Sequence, residues 1–393
     1  MVTRFDLTRV RLRQYRSIAQ CNVEVGPLNI LVGPNGSGKS NFLDAMRLTA
    51  QALNENLDNA LRERGGVSEV RRRSRGHPTH FGIEFRFRLN GYSGSYAFQV
   101  GAVEGRDFRV SREECRIESH DFGGRVWHYS IRNGELIEKS EEVMPPAAPD
   151  RLYLVAAAGI EAFRNVFDGL AAINVYNINP DAMRQLQRPE PGDRLRRDGS
   201  NIASVLERLS RDRPQVKERI EEYLGQVVTG VTGVSRRSYG AWEAIEFRQA
   251  VAGDAKPWTF QATSMSDGTL RALGVLVALF GGGDSVASPV GIEEPEAALH
   301  PAAAGVLLGA LRDACAHRQV FLTTHSPDLL DTPTIKPEEL LAVRAEGGVT
   351  TVGRVDRAGE RALRESLFTA GELLRVDQLA PVRQPAEQPE LFS

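Results

Sequence analysis

The run LNILVGPNGSGKSNFLDAMRLTAQALN, residues 28–54, constrains this chain more than any other stretch. A mostly apolar segment, a glycine-rich stretch matching GxxxxGK[ST] and an amphipathic run follow without a gap, so a buried strand must turn through the loop into a helix. Phe42, Ala45, Met46 and Leu48 fall on one side of that helix at helical spacing. In this setting the glycines of Gly33–Ser40 let backbone N–H groups wrap phosphate oxygens, and the helix N-terminus adds positive dipole. Lys39 is placed to reach the β- and γ-phosphates, and the Ser40 hydroxyl to bind Mg2+. The candidate nucleotide contacts are therefore Gly33, Pro34, Asn35, Gly36, Ser37, Gly38, Lys39, Ser40 and Asn41.

Three later segments add chemistry. SPVGIEEP, Ser288–Pro295, reads as a strand with two carboxylates at its C-terminal end, where ligands sit in an open α/β sheet. Glu293 is assigned to Mg2+, through water, and Glu294 to polarising the attacking water as general base. The strand QVFL leads into Thr323, Thr324, His325 and Ser326, and a histidine there can hydrogen-bond the γ-phosphate or the water. Ser266, Asp267, Gly268 and Thr269 open the apolar helix LRALGVLVALF. Ser266 or Asp267 can serve as its N-cap, and the same N–H groups with the Ser266 hydroxyl and Gly268 can meet a γ-phosphate held by a second subunit. Paired acids, a histidine after a strand and a serine before a helix are each commonplace alone. Their order behind a phosphate loop gives them weight, with Lys39, Glu294 and His325 as the catalytic set and Ser40 with Glu293 as the metal set.

The remaining chain divides by pattern. Residues 1–150 form a first half in which strands LTRVRLRQY, CNVEV and LNILV are followed, from about Gly65 to Glu138, by period-two segments with glycine turns. That stretch predicts an antiparallel lobe, ended by the proline-rich VMPPAAPD. Residues 151–235 read as a helical insertion, with Ser200 or Asn201 as a cap. Residues 236–380 return to alternating strand and helix, as a parallel sheet with crossover helices requires, and the Pro- and Gln-rich 381–393 is expected to be disordered. The fold class expected is α/β, with a mixed, largely parallel central sheet.

Net charge is -2, so there is no global basic excess to draw nucleic acid, and any such contact must come from a local patch. Cys21, Cys115 and Cys315 lie far apart without CxxC pairing, which argues against a zinc site or disulfide framework. The charged N-terminus lacks a signal-peptide core, and the longest apolar run, Ala272–Phe280, is about half of a membrane span and reads as a buried helix. A cytoplasmic protein with no membrane contact is expected.

The order GPNGSGKSN, SDGT, IEEPEAALHP and TTHSP resembles the ABC-type ATPase heads of the RecF, SMC and OLD-nuclease lineage, and is especially similar to compact RecF-like ATPases. RQYRSI, LRRDGSNIASVL and TAGELLRVDQL also look like that family, so the resemblance covers nearly the whole chain. It implies a P-loop ATPase of head type that binds ATP and Mg2+, with Ser266 and Gly268 in the signature, Glu293 and Glu294 as Walker B acids and His325 as switch histidine. It further implies head-to-tail homodimers that sandwich ATP, and links to DNA repair. MSDGT stands where transporter heads have LSGGQ, and Glu293 where aspartate is usual, which implies a differently tuned ATPase. No Q-loop glutamine is assignable; Arg71, Arg72, Arg73 and Arg75 lie in that part of the chain and read as a solvated face or as an approach to phosphate or DNA. No heptad run or CxxC hook is present, which excludes a long-armed machine, and the segment after His325 offers no acidic metal cluster of a nuclease. Two functional readings follow: an ATP-driven DNA-engaging switch, or an ATPase module of an antiphage or toxin system working with a separate effector protein. A transporter's energising subunit fits the inserted lobes poorly.

Overall fold

The computed structural model describes residues 3–73, 79–103, 106–121, 123–142, 144–282, 286–332 and 334–382. Arg75 and the tail from 383 onward lie outside the described residues. Strands β1 (Thr3–Tyr15), β2 (Ile18–Glu24) and β3 (Leu28–Val32) precede the helix Lys39–Asn54. Then come β4 (His80–Leu89), β5 (Tyr92–Val103), β6 (Arg106–Ser119), β7 (Val126–Arg132) and β8 (Glu135–Lys139). β9 (Asn174–Tyr176) lies between helices Glu161–Ala171 and Pro180–Arg184. Helices Ile202–Asp212 and Pro214–Val227 lead to β10 (Val231–Tyr239), β11 (Trp242–Gln249) and β12 (Trp258–Gln261). Helix Asp267–Phe280 precedes β13 (Val286–Ala287) and β14 (Val290–Glu293), and helix Ala304–Cys315 precedes β15 (Val320–Thr324). β16 (Leu340–Glu346) and β17 (Val349–Arg354) are followed by helices Arg357–Arg364 and Ala370–Arg375.

Among the described residues fourteen strands form one sheet, ordered β8-β7-β6-β5-β4-β1-β2-β17-β16-β3-β15-β14-β9, with β13 pairing on β1. The central strands β16, β3, β15, β14 and β9 are mutually parallel, whereas β1 and β4 to β8 pair antiparallel. All five residues of β3 and of β15 are buried, because helices cover both faces of the parallel part. On one face the helix Lys39–Asn54 inserts Phe42, Leu43, Ala45, Met46 and Leu48 into the core shared with the antiparallel lobe. On the other, the helix Asp267–Phe280 is buried almost throughout, as its unbroken apolar run requires. β10, β11 and β12 make a separate three-stranded sheet, whose Val234, Ile245 and Phe247 join that second core.

Three local expectations differ. The antiparallel lobe begins at His80, because residues 67–70 form a short helix. The stretch 155–226 is helical in parts but contributes β9 to the central sheet edge, and residues 187–201 follow no regular helix. Three residues are too few to show a period, and pairing with β14 decides their conformation. Asn201 does sit at the N-cap of Ile202–Asp212, but its side-chain oxygen accepts from Arg196 N rather than from the helix.

Lobe and helices are tied by one buried carboxylate. Glu113 on β6 is 0% exposed; its Oε1 accepts from Tyr96 Oη, Tyr129 Oη and Leu154 N, and its Oε2 from Tyr153 N. Burial pushes its pKa up to about 7, and the four donors only partly offset that. The folded chain therefore holds a proton that the unfolded chain releases above about pH 4.5, so this group's contribution is full below that pH and lost as pH rises to about 7. At about 1.4 kcal/mol per unit, roughly 3 kcal/mol disappears across the window. Denaturant melts at pH 5 and pH 8 are expected to differ by that much less in Glu113→Gln than in the parent; equal slopes would remove the assignment.

Candidate nucleotide site

The C-terminal ends of β3, β15 and β14 lie side by side, in the registers Val32 with Thr324 and Thr323 with Glu293. The glycine loop, His325 and Glu294 therefore leave the sheet at one edge, where parallel strands expose a crevice. Gly36 and Gly38 have φ of +75° and +99°, which lets successive N–H groups face inward. A Cβ at Gly38 would lie 2.4 Å from Thr350 Oγ1, so this position is closed to other residues on steric grounds as well. Thr350 Oγ1 donates to Ser37 O at 2.8 Å and lies 2.7 Å from Ser17 Oγ, which in turn accepts from Asn41 Nδ2 at 2.7 Å. Asn41 thus braces the loop from behind. The helix beneath is fixed by Asp44, which takes Arg16, Arg47, Arg64 and the Tyr15 hydroxyl. Burial alone would raise the Asp44 pKa, but Arg64, Arg16 and Arg47 hold it below the usual range.

Lys39 Nζ donates to Gly33 O at 2.8 Å and Pro34 O at 2.9 Å, so the ammonium lies across the loop. Burial lowers its pKa, opposed by Glu294 and Glu296. Ser37 Oγ is buried without a protein partner, while Ser40, next to Lys39, is exposed. Glu294 has φ +45°, a left-handed conformation unusual for a side-chain-bearing residue. Its N–H donates to Thr323 O at 3.0 Å, and its Oε1 lies 3.2 Å from His325 Nδ1. The preceding acid, Glu293, has its Oε1 2.7 Å from an Arg197 guanidinium nitrogen.

Sequence reading missed Glu296. Its Oε1 accepts from Thr324 Oγ1 and its Oε2 is buried with no protein partner. Burial raises its pKa, with the Thr324 hydroxyl opposing and Glu294 reinforcing the rise. Only its place in EEPE, two residues past Glu294, hinted at a third acid. Arg197 was missed too, although the segment around it stood out.

Ser266 caps the helix Asp267–Phe280, its Oγ accepting from Thr269 N at 3.2 Å. Gly268 packs against the loop after Glu294: a Cβ there would lie 2.4 Å from Ala298 O. Among the described residues neither Ser266 nor Gly268 hydrogen-bonds the glycine loop of its own chain. The arginine run is also apart, with Arg72 N donating to Gln14 O and Arg73 pairing with Glu69.

A family model described as "AAA domain, putative AbiEii toxin, Type IV TA system" matches residues 28–331, more than half of the chain. The chain belongs to this AAA-domain family. Its fold is the P-loop fold expected from the motif order. The DNA replication and repair protein RecF of Magnetococcus marinus is 37% identical over 107 residues, 24% of this chain and 28% of that protein. The AAA-domain chain thus spans less than a third of the RecF it matches. An Smc head solved with the C-terminal winged-helix domain of ScpA superposes with a TM-score of 0.51 at 14% identity, covering 90% of this chain and 99% of that one. No helix among the described residues is long and apolar enough to cross a membrane.

Proposed function

We propose that this AAA-domain ATPase hydrolyses Mg-ATP between two copies of itself and uses the resulting closure and opening to act on DNA. The observation that carries this reading is the split of the site. Lys39, Glu294, Glu296 and His325 gather at one sheet edge, whereas among the described residues the Ser266-capped helix tip makes no hydrogen bond to the glycine loop. A helix N-terminus presents N–H groups to an anion, which suits a phosphate held elsewhere.

The residues present suit the nucleotide and its metal. The Gly33–Ser40 loop is a backbone cradle with an orphaned Ser37 hydroxyl, and the exposed Ser40 hydroxyl plus the Glu293 carboxylate form the sparse oxygen set that Mg2+ completes with phosphates and water. Bound metal would supply positive charge that offsets charge developing on the phosphate oxygens. Within the chain, Lys39 leaves the Gly33 and Pro34 carbonyls for the β- and γ-phosphates. Glu294 takes the proton of the attacking water, and His325, at hydrogen-bond distance from Glu294, holds that carboxylate and senses the γ-phosphate. Ser266 and the N–H groups from Gly268 onward meet the γ-phosphate of the second copy.

The DNA role rests on the partial likeness to RecF, and the test must therefore separate dimerisation from DNA binding. Ser266→Arg is expected to abolish ATP-induced dimers in light scattering while leaving ATP binding by the monomer within about threefold. Unchanged dimerisation would remove the composite site. Duplex DNA is expected to be retained only with ATP and at low salt, falling steeply between 50 and 200 mM; salt-independent or absent retention would sink the DNA role alone. A second reading has its own support in the toxin-system description of the family, and predicts a tightly copurifying effector protein instead of DNA.

A further inference from the structure

The segment LRRDGSN, residues 195–201, is the motif that the nucleotide chemistry leaves unused. It is a built loop. Asn177 N donates to Arg197 O at 2.9 Å and Asn179 N to Asp198 O at 3.0 Å, which continues the edge strand β9 outward. Arg196 N donates to Asn201 Oδ1 at 2.8 Å, Asn201 Nδ2 donates to Arg194 O at 2.8 Å, and Gly199 turns the chain at φ +81°. This backbone aims Arg197 at Glu293, where nitrogen and oxygen lie 2.7 Å apart.

Beside that ion pair is a cavity of about 720 Å3, lined by Arg196, Arg197, Arg271, Asn177, Asn179 and Ser200 among others. Arg271 lies one turn into the helix that Ser266 caps, and its Nε is buried without a partner. The one acid in the lining, Asp198, already accepts from Ser200 N at 3.0 Å. Arg196 is paired with Glu190 and Arg197 with Glu293, whereas Arg271 keeps a buried nitrogen without a partner; three guanidiniums with two carboxamides around one opening suit a ligand rich in oxygen and negative charge. One Arg197 nitrogen faces Glu293, and a ligand that takes that nitrogen competes with the carboxylate for it.

We propose that this cavity is a second phosphate site, distinct from the glycine loop, whose occupant draws Arg197 off Glu293 and so frees that carboxylate for Mg2+. The inference rests on the reading of Glu293 as the metal-holding acid. It makes Arg197 a positioning residue that links a phosphate-bearing ligand to loading of the metal, and it places Arg271 where the same ligand touches the helix offered to a second copy.

The test is the free Mg2+ concentration at half-maximal change in fluorescence of bound mant-ATP, with the full chain. Arg197→Ala is expected to lower that midpoint about tenfold without any added ligand. In the parent, inorganic phosphate or a single-stranded dT12 oligonucleotide is expected to lower it several-fold. Arg271→Ala, which spares the pair with Glu293, is expected to lose the response to either probe. A response to dT12 alone assigns the site to a nucleic-acid backbone; a response to inorganic phosphate assigns it to a soluble phosphate. A parent that binds mant-ATP with a midpoint moved by neither probe, or an Arg197→Ala midpoint equal to the parent's, overturns the proposal. A chain that binds no mant-ATP overturns the nucleotide reading and this inference with it.

Discussion

Glu294→Gln is expected to reduce ATP turnover by roughly 10^2- to 10^4-fold, the usual worth of a positioned general base, while leaving nucleotide binding intact. The amide keeps the shape of the side chain and its reach to His325 Nδ1, 3.2 Å from the carboxylate in the parent. It cannot accept the proton of the attacking water. The strained φ of +45° at this residue is held by the bond from Glu294 N to Thr323 O, which the substitution does not touch, so the variant should fold as the parent does. With hydrolysis blocked, the ATP-bound form should accumulate as a dimer. Phosphate release and light scattering, measured together, check both halves. Near-normal turnover would move the base elsewhere, and Glu296 would be the next candidate, since it is buried beside Thr324 with a raised pKa and an unpartnered oxygen.

Lys39→Ala is expected to weaken ATP binding by roughly 100-fold, the loss that follows from removing one or two charge-assisted hydrogen bonds to phosphate. Within the chain the ammonium is satisfied by the carbonyls of Gly33 and Pro34, and burial lowers its pKa. Those contacts are local to the loop, so their loss should cost the fold little and the melting temperature should stay near the parent's. A mant-ATP titration beside a thermal melt separates the two effects. Affinity within threefold of the parent would show that Lys39 does not reach the phosphates.

Particular residues show why one part of the site was legible and another was not. The glycine loop announces itself because its requirement is local: positive φ at Gly36 and Gly38, and a lysine and serine at fixed offsets. The acids at the end of β14 were legible because an apolar strand that ends in two carboxylates, coming after a glycine loop, puts them at the edge where an open α/β sheet takes its ligands. The cap on the signature helix followed from Ser266 being followed three residues later by the N–H it accepts from. β9 and Arg197 were not legible. Three residues carry no period, and the bond from Arg197 to Glu293 joins positions 96 apart in the chain.

By itself, then, the order of residues determined the strand, glycine loop and helix of residues 28–54, the acids at the end of β14, and membership in an α/β P-loop class, since each rests on backbone conformation and spacing within a few residues. Tertiary structure alone decided that the antiparallel strands continue the central sheet, that Thr350 and Ser17 brace the glycine loop, and that Arg197 faces Glu293. These are pairings between distant segments. Their partners are chosen by packing and desolvation when the chain closes on itself, and no local pattern records them.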